Sequence, residues 1–252
     1  MNELQNTCDI TFFVPCLNEE GNIVNTLDII ISAVSETNLA YEIIVIDDNS
    51  IDRTINKVEE YKNQHSQINI TLIMNAFTKG LGTNYVDGSF IGRGKYYMLV
   101  NGDNVEPKET ILTIIREIGN ADMIIPYFGK NDTRSLDRVL ISKLFTKIVN
   151  FLSRYNISYY NGPVLHLRYN VMRWSPDTHG FAYQAELITR ILFEDGSYKE
   201  VLIENSNRNY GISNAFRVNN ILSVMHSLLQ ILLRRIRLMF FGPSARWKRL
   251  NR

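Results

Sequence analysis

Cysteine is nearly missing from this chain: Cys8 and Cys16 are the two in 252 residues. They lie close together, in or beside one predicted strand. That excludes a disulfide framework or a zinc site, and free thiols in a reducing cytosol are expected. No uninterrupted apolar run of about 18 residues occurs, so a spanning helix is not expected. The N-terminus is polar and leads into a strand at residues 10–15, so no cleavable signal pattern is expected either. The Gly-x-Gly-x-x-Gly of a dinucleotide site is absent, because Pro15-Cys16-Leu17-Asn18-Glu19-Glu20-Gly21 stands between the first strand and its helix. Lys79-Gly80-Leu81-Gly82 lacks the Gly-Lys-Ser/Thr end of a Walker loop. Acid is missing from the last stretch: beyond Glu204 there are nine basic residues and no Asp or Glu. Residues 1–204 therefore set 18 basic against 26 acidic residues, a net −8, under a tail of +9. A basic tail on an acidic body points to an anionic surface as partner.

What is present is an ordinary globular composition, 45% hydrophobic and 21% charged, in a length that fits one core or one domain with an appendage. Strand-like runs at residues 10–14, 41–46, 68–74 and 96–100 alternate with helical patterns. The first helix carries Ile23, Leu27, Ile30, Ile31 and Val34 on one face; the others are predicted from about residue 51 to 61, over 79–91 and over 108–118. Short links between them predict an α/β fold with a mostly parallel central sheet covered on both faces. Further strands are predicted at residues 123–125, 164–167 and 198–203, and helices over 139–152 and 181–193.

The tail is different. From Val218, apolar residues recur at 218, 221, 222, 225, 228, 229, 232 and 236, with Arg234 and Arg237 on other sides and Leu238-Met239-Phe240-Phe241 before Gly242-Pro243. An amphipathic, Arg-bearing helix with aromatics is the pattern of a helix lying in a membrane surface. Packing on its own domain, or on a second subunit of a homo-oligomer, is the alternative. Nucleic acid is not expected, since the basic residues interleave with a continuous apolar face that a phosphate-tracking surface does not need. The division predicted is a domain over residues 1–210 and a membrane-associating helical segment over 211–252.

Four motifs fall in order at the predicted strand ends: Val14-Pro15-Cys16-Leu17-Asn18-Glu19-Glu20; Ile44-Val45-Ile46-Asp47-Asp48-Asn49-Ser50-Ile51-Asp52-Arg53-Thr54; Lys79-Gly80 followed by Gly88; and Asn101-Gly102-Asp103. With Gly180-Phe181 and Glu186, they resemble the family 2 inverting glycosyltransferases of the GT-A (Rossmann-like) fold, in particular dolichyl-phosphate mannose synthases and bacterial polyprenyl-phosphate sugar transferases. The resemblance spans roughly residues 10–205. It implies a UDP- or GDP-sugar donor and a Mg²⁺ or Mn²⁺ ion. It also places Pro15, Asn18, Glu19, Asp47, Asp48, Ser50, Lys79, Gly80, Asn101 and Gly102 around the nucleotide sugar, with Asp103 and Asn101 at the metal.

Several residues carry a second reading. Asp48 is suited to anchoring its loop, Ser50 to capping the next helix, and Lys79 to meeting either a pyrophosphate or solvent. Asn101 replaces the first acid of the Asp-x-Asp motif and Val105 the family's frequent Gln, which lowers the charge of the site. Arg134 and Arg138 are suited to holding an acceptor phosphate, or to pairing with Asp132 or Asp137. Glu186 is the candidate base should the acceptor be a hydroxyl, with a Glu186–Arg190 helix pair as the alternative. His166, between Leu165 and Leu167, reads as a structural strand residue. Where the lipid-phosphate enzymes carry an Asp and a small-residue turn, this chain has Tyr159-Tyr160-Asn161-Gly162-Pro163. The expectation is a peripheral enzyme at the cytoplasmic face of a membrane, moving one sugar to a lipid-linked acceptor, with polyprenyl phosphate favoured. A sugar hydroxyl in lipid-linked glycan assembly and a non-catalytic nucleotide-sugar scaffold are the alternatives.

Overall fold

The computed structural model describes residues 8–129, 132, 135–176, 180, 182–203 and 218–241. In chain order the elements are β1 (Ile10–Cys16), α1 (Ile23–Val34), β2 (Tyr41–Asp47), α2 (Thr54–Gln64), β3 (Ile70–Met74), α3 (Leu81–Ile91), β4 (Tyr96–Leu99), α4 (Lys108–Ile115), β5 (Met123–Phe128), α5 (Leu136–Ser153), β6 (Leu165–Leu167), α6 (Arg168–Arg173), α7 (Tyr183–Phe193), β7 (Tyr198–Ile203) and α8 (Val218–Phe241). The strands form one sheet in the order β3-β2-β1-β4-β6-β5-β7. β6 runs antiparallel to β4 and β5, and every other pair is parallel. Six strands thus point one way, and their carboxyl ends line a single edge.

Alternate strand residues enter two apolar layers, as the two-residue period of a strand requires. Phe12, Val14, Val45 and Met98 pack beneath α1, α2 and α4. Phe13, Ile44, Tyr97 and Leu99 pack on the other face with Tyr85 of α3, Val149 of α5, Leu187 and Ile188 of α7 and Ile231 of α8. Burial on both faces explains why the parallel strands read as unbroken apolar runs rather than alternating ones.

Two of the boundaries that differ from the sequence expectation lie beside the site. β1 continues through Pro15 to Cys16, paired with Ile46 and Asp47. The Pro15 carbonyl accepts from the Gly102 N–H at 3.1 Å, so its nitrogen faces the β4 side as well, where the ladder with β4 has ended at Phe13. The missing N–H therefore costs no ladder bond. α2 begins at Thr54 rather than near residue 51, because Asp52 Oδ1 accepts the Thr54 N–H at 2.9 Å. Ser50 is accordingly not the cap of that helix.

α8 lies against α5 and α7. Ser227 and Ile231 are fully buried there, and Arg235 donates from Nη1 to the carbonyls of Phe151 and Leu152 at 3.0 and 2.9 Å, closing the end of α5. Leu222, Met225, Leu229, Leu233 and Ile236 stay exposed on the outside. The helix therefore has an apolar side turned to the protein and another turned outward, so packing on its own domain does not exhaust its apolar surface. No helix among the described residues is long and apolar enough to cross a membrane.

Candidate active site

The edge formed by the carboxyl ends of β1, β2 and β4 gathers three polar loops, the position where ligands sit in open α/β sheets. The first two loops are tied to each other. Asn18 takes a left-handed φ of 58°, which Asn tolerates better than most residues. Its N–H then donates to Ser50 Oγ at 2.8 Å, and its Oδ1 accepts the Ile51 N–H at 2.9 Å. The Glu19 N–H donates to Thr54 Oγ1 at 2.7 Å, and Glu20 and Asp52 exchange backbone-to-side-chain bonds with the opposite loop. Asn18 and Ser50 thus act on each other, while the Glu19 carboxylate accepts from Asn22 Nδ2 at 2.8 Å.

Asp47 and Asp48 close β2. Asp47 is fully buried, and its Oδ2 accepts the Ser50 N–H at 2.9 Å. Burial, and with it the Asp47 charge, pushes the neighbouring Cys16 thiol far above its ordinary range, so that cysteine is an inert core group. Asp48 accepts the N–H groups of Lys79 and Gly80 at 2.8 and 2.9 Å and Asn75 Nδ2 at 2.9 Å. Burial works against its charge, but the nearby Asn84 amide and these bonds outweigh it and hold the carboxyl below its usual range. This is the anchoring role, applied to the start of α3. Gly80 sits there at φ 88°, a conformation costly for any side-chain-bearing residue. The Lys79 ammonium meets Asp87 Oδ2 at 2.9 Å, a partly exposed pair that a competing phosphate can separate at little cost.

The third loop follows β4. A Cβ on Gly102 would come within 2.8 Å of the Pro15 carbonyl oxygen and 3.1 Å of Cys16 Cβ, so only glycine lets this turn lie against β1. Thr26 of α1 donates to the Gly102 carbonyl at 3.1 Å. Asp103 is half-buried on the turn. Asn101 Nδ2 donates to Glu106 Oε1 at 2.7 Å, and the Asn101 N–H donates to Glu106 Oε2 at 3.2 Å. Burial first, and with it the charge of Asp103, push Glu106 up to about 7, although both bonds from Asn101 favour its charged form. Glu106 escapes the sequence reading, which follows the Asp-x-Asp spacing and stops at Asp103. The signal was an acid just before Pro107.

No group of three or more His, Cys, Asp or Glu among the described residues could by itself hold a metal ion. Asp103 with the Asn101 carbonyl is instead the kind of sparse donor set that holds Mg²⁺ or Mn²⁺ together with substrate phosphates. The site residues fit the ion in that mode.

On the far side of the sheet edge the expectations fare unevenly. Arg138 lies half-buried in the first turns of α5, whereas Arg134 and Phe181 lie outside the described residues, as does the tail beyond Phe241. Glu186 has no exposed surface and pairs with Arg234 of α8 at 3.1 Å. In this arrangement it ties α7 to α8 and has no surface through which to take an acceptor's proton. Arg190, the partner suggested by helix spacing, donates to the Ser175 carbonyl at 2.7 Å. His166 is fully buried beside the Tyr85 ring, and burial lowers it to about 3, as a structural neutral histidine.

Residues 11–178 match the family described as Glycosyl transferase family 2. The chain belongs to that family. Among curated relatives it is 29% identical over 128 residues to a dolichyl-phosphate beta-glucosyltransferase of Dictyostelium discoideum, covering 49% of this chain and 37% of the relative. It is also 29% identical over 115 residues to a dolichol-phosphate mannosyltransferase of Pyrococcus furiosus, covering 46% and 31%. The match thus spans about a third of the length of these relatives. Among solved structures, glucosyl-3-phosphoglycerate synthase from Mycobacterium tuberculosis, in complex with Mn²⁺, UDP and phosphoglyceric acid, superimposes with a TM-score of 0.65 at 14% identity, covering 94% of this chain and 80% of that one. At that identity the likeness speaks for the fold, and it agrees with the GT-A expectation.

Proposed function

We propose that this protein transfers one sugar, with inversion, from a UDP- or GDP-sugar to a lipid-linked acceptor at the cytoplasmic face of a membrane, with polyprenyl phosphate the favoured acceptor. The observation that carries the reading is the convergence of the three loops after β1, β2 and β4 on one sheet edge, with Asp103 and Asn101 on the last of them. Around it, Pro15, Glu19 and Asp47 are assigned to the nucleoside, Asn18, Ser50 and Asp48 to shaping the loops that receive it, and Lys79 to the pyrophosphate. Asp103 and Asn101 would hold a divalent cation, whose chemistry is to neutralise charge on the departing diphosphate. Inversion in one displacement means that an acceptor oxygen bonds to the anomeric carbon as the bond to the diphosphate breaks, with no covalent intermediate on the protein.

A phosphate acceptor is supported over a hydroxyl by two observations. The relatives named above are dolichyl- and dolichol-phosphate sugar transferases by name, and the base nominated from the sequence, Glu186, is sealed against Arg234. A phosphate is already an anion and needs no base; Arg138, with Arg134, is assigned to hold it. Membrane attachment is supported by more surface than the tail alone. α5 exposes Leu136, Leu140, Leu144 and Phe151 and lies beside α8, which exposes Leu222, Met225 and Leu229. Substituting Leu144 and Leu229 together by Glu is expected to lower partitioning onto anionic liposomes by an order of magnitude or more without shifting the melting temperature, since both side chains are exposed. Unchanged partitioning would refute the two-helix surface.

The direct test is sugar transfer from a panel of UDP- and GDP-sugars with and without a short polyprenyl phosphate. Transfer that requires the lipid phosphate establishes the reading. Nucleotide binding without transfer to any lipid-linked acceptor would establish a non-catalytic protein instead.

A further inference from the structure

Glu106 is a buried carboxylate whose two oxygens are met by amides of Asn101, with no lysine or arginine paired to it among the described residues. Burying a carboxylate without a cationic partner is costly, so its presence calls for a reason. Helix capping does not supply one: α4 starts at Lys108 with Pro107 at its N-cap position, and no side-chain cap bond is made. What Glu106 does is hold Asn101. The Asn101 side chain turns its NH₂ end to the Glu106 carboxyl, so its carbonyl oxygen faces away. That is the one orientation in which Asn101 offers an oxygen to a cation rather than two N–H groups that repel it.

We propose that Glu106 is a positioning residue for the cation site: it fixes the Asn101 amide with its oxygen available as a ligand, and it supplies from just behind the turn the negative charge that an acid at position 101 would have carried. The pair is a transposed carboxylate, with the amide in front and the acid behind. This rests on the reading of Asp103 and Asn101 as the cation's ligands.

Hydrogen-bond geometry makes the idea testable by moving the charge. In Glu106→Gln, the new amide can accept the Asn101 backbone N–H only by turning its NH₂ toward the Asn101 side chain, which must then flip and present its own NH₂ to the cation. Both bonds survive, so folding is retained while the site is spoiled. In the double variant N101D/E106Q the same Gln amide donates to the new carboxylate at position 101 and accepts the backbone N–H, so both bonds survive and the acid stands in front.

The measurement is Mn²⁺ affinity from the electron paramagnetic resonance signal of free Mn²⁺, in mildly alkaline buffer with UDP or GDP present, whichever the wild type binds, alongside thermal melts and nucleotide affinity without metal. E106Q is expected to lose about 10-fold or more in Mn²⁺ affinity with an unshifted melting temperature, and N101D/E106Q to return to the wild-type value. Wild-type affinity in E106Q, or a double variant no better than E106Q, overturns the proposal. If E106Q does not fold, the double variant decides alone, with wild-type affinity supporting the transposition and a loss overturning it. A wild type that binds nucleotide but no Mn²⁺ overturns the ligand reading itself, an outcome distinct from the others.

Discussion

The two ends of the sheet both bury acid, and they treat it differently. At the amino end, Glu42 of β2 accepts from Thr11 Oγ1 at 2.7 Å, from the Arg93 N–H, and from Arg93 Nε at 3.0 Å. Its charge is answered by a guanidinium as well as by hydroxyl and amide donors. At the carboxyl end, the bonds that meet Asp47, Asp48 and Glu106 come chiefly from amide N–H groups of the loops and from Asn75 and Asn101. Amides orient a carboxylate without cancelling its charge. The first arrangement is complete in itself. The second keeps a negative potential at the edge where a cation and a pyrophosphate are proposed to arrive. A structural acid and a site acid are thus told apart by what neutralises them, not by burial.

The largest effect that would break this comparison is at Asp103. Asp103→Ala is expected to lower transfer by about 10³-fold, the scale seen when a group stabilising transition-state charge is removed, while leaving the melting temperature near that of the wild type. A variant that unfolds, or one that still turns over, would put Asp103 with the structural acids. Asp48 occupies the middle ground. Asp48→Ala strands the N–H groups of Lys79 and Gly80 at the start of α3, removes one of two acceptors of Asn75 Nδ2, and is expected to cost about 2–3 kcal/mol in urea denaturation. Transfer by the folded fraction should fall too, because Lys79 and Gly80 lose their anchor. A stability loss with full activity per folded molecule would move Asp48 wholly to the scaffold side.

The parallel strands, their order of appearance and the polar strand ends were legible because each follows from local pattern: apolar runs, Gly and Asn at turns, acids after a strand. Even Asp48's anchoring and His166's burial could be anticipated from their neighbours. What was not legible depends on residues distant in the chain. Ser50 reads as a cap because a serine precedes a helix, but its partner is Asn18, which only the alignment of β1 with β2 brings near. Glu186 reads as a base or an i,i+4 pair, and is claimed by Arg234, 48 residues on. Pro15 reads as a strand end, and only the departure of β4 explains why the strand continues. In α8, the period gives one apolar stripe but not that part of it is covered by α5 and α7 while part stays outside.

The smallest effect tests the amino end, and it is sharpest as a function of pH. Burial works to raise Glu42, but the hydrogen bonds from Arg93 and Thr11 and the Arg93 charge outweigh it and hold the carboxyl below its ordinary value. A depressed folded-state value means that Glu42 contributes stability at neutral pH, fully present above the unfolded carboxylate range near 4.3, and loses it as pH falls through the folded value. Glu42→Gln is therefore expected to be about 1 kcal/mol less stable than the wild type at pH 7. That gap should shrink as pH drops below about 4, because the wild type's own carboxyl then becomes protonated and its advantage over glutamine fades. Transfer at neutral pH should be unaffected per folded molecule, since the residue lies at the end of β2 opposite the loops. Equilibrium denaturation of both proteins across that pH range reads the result directly. A gap independent of pH would mean that Glu42 acts through shape alone, and the contrast between the two ends of the sheet would then have to rest on geometry rather than on charge.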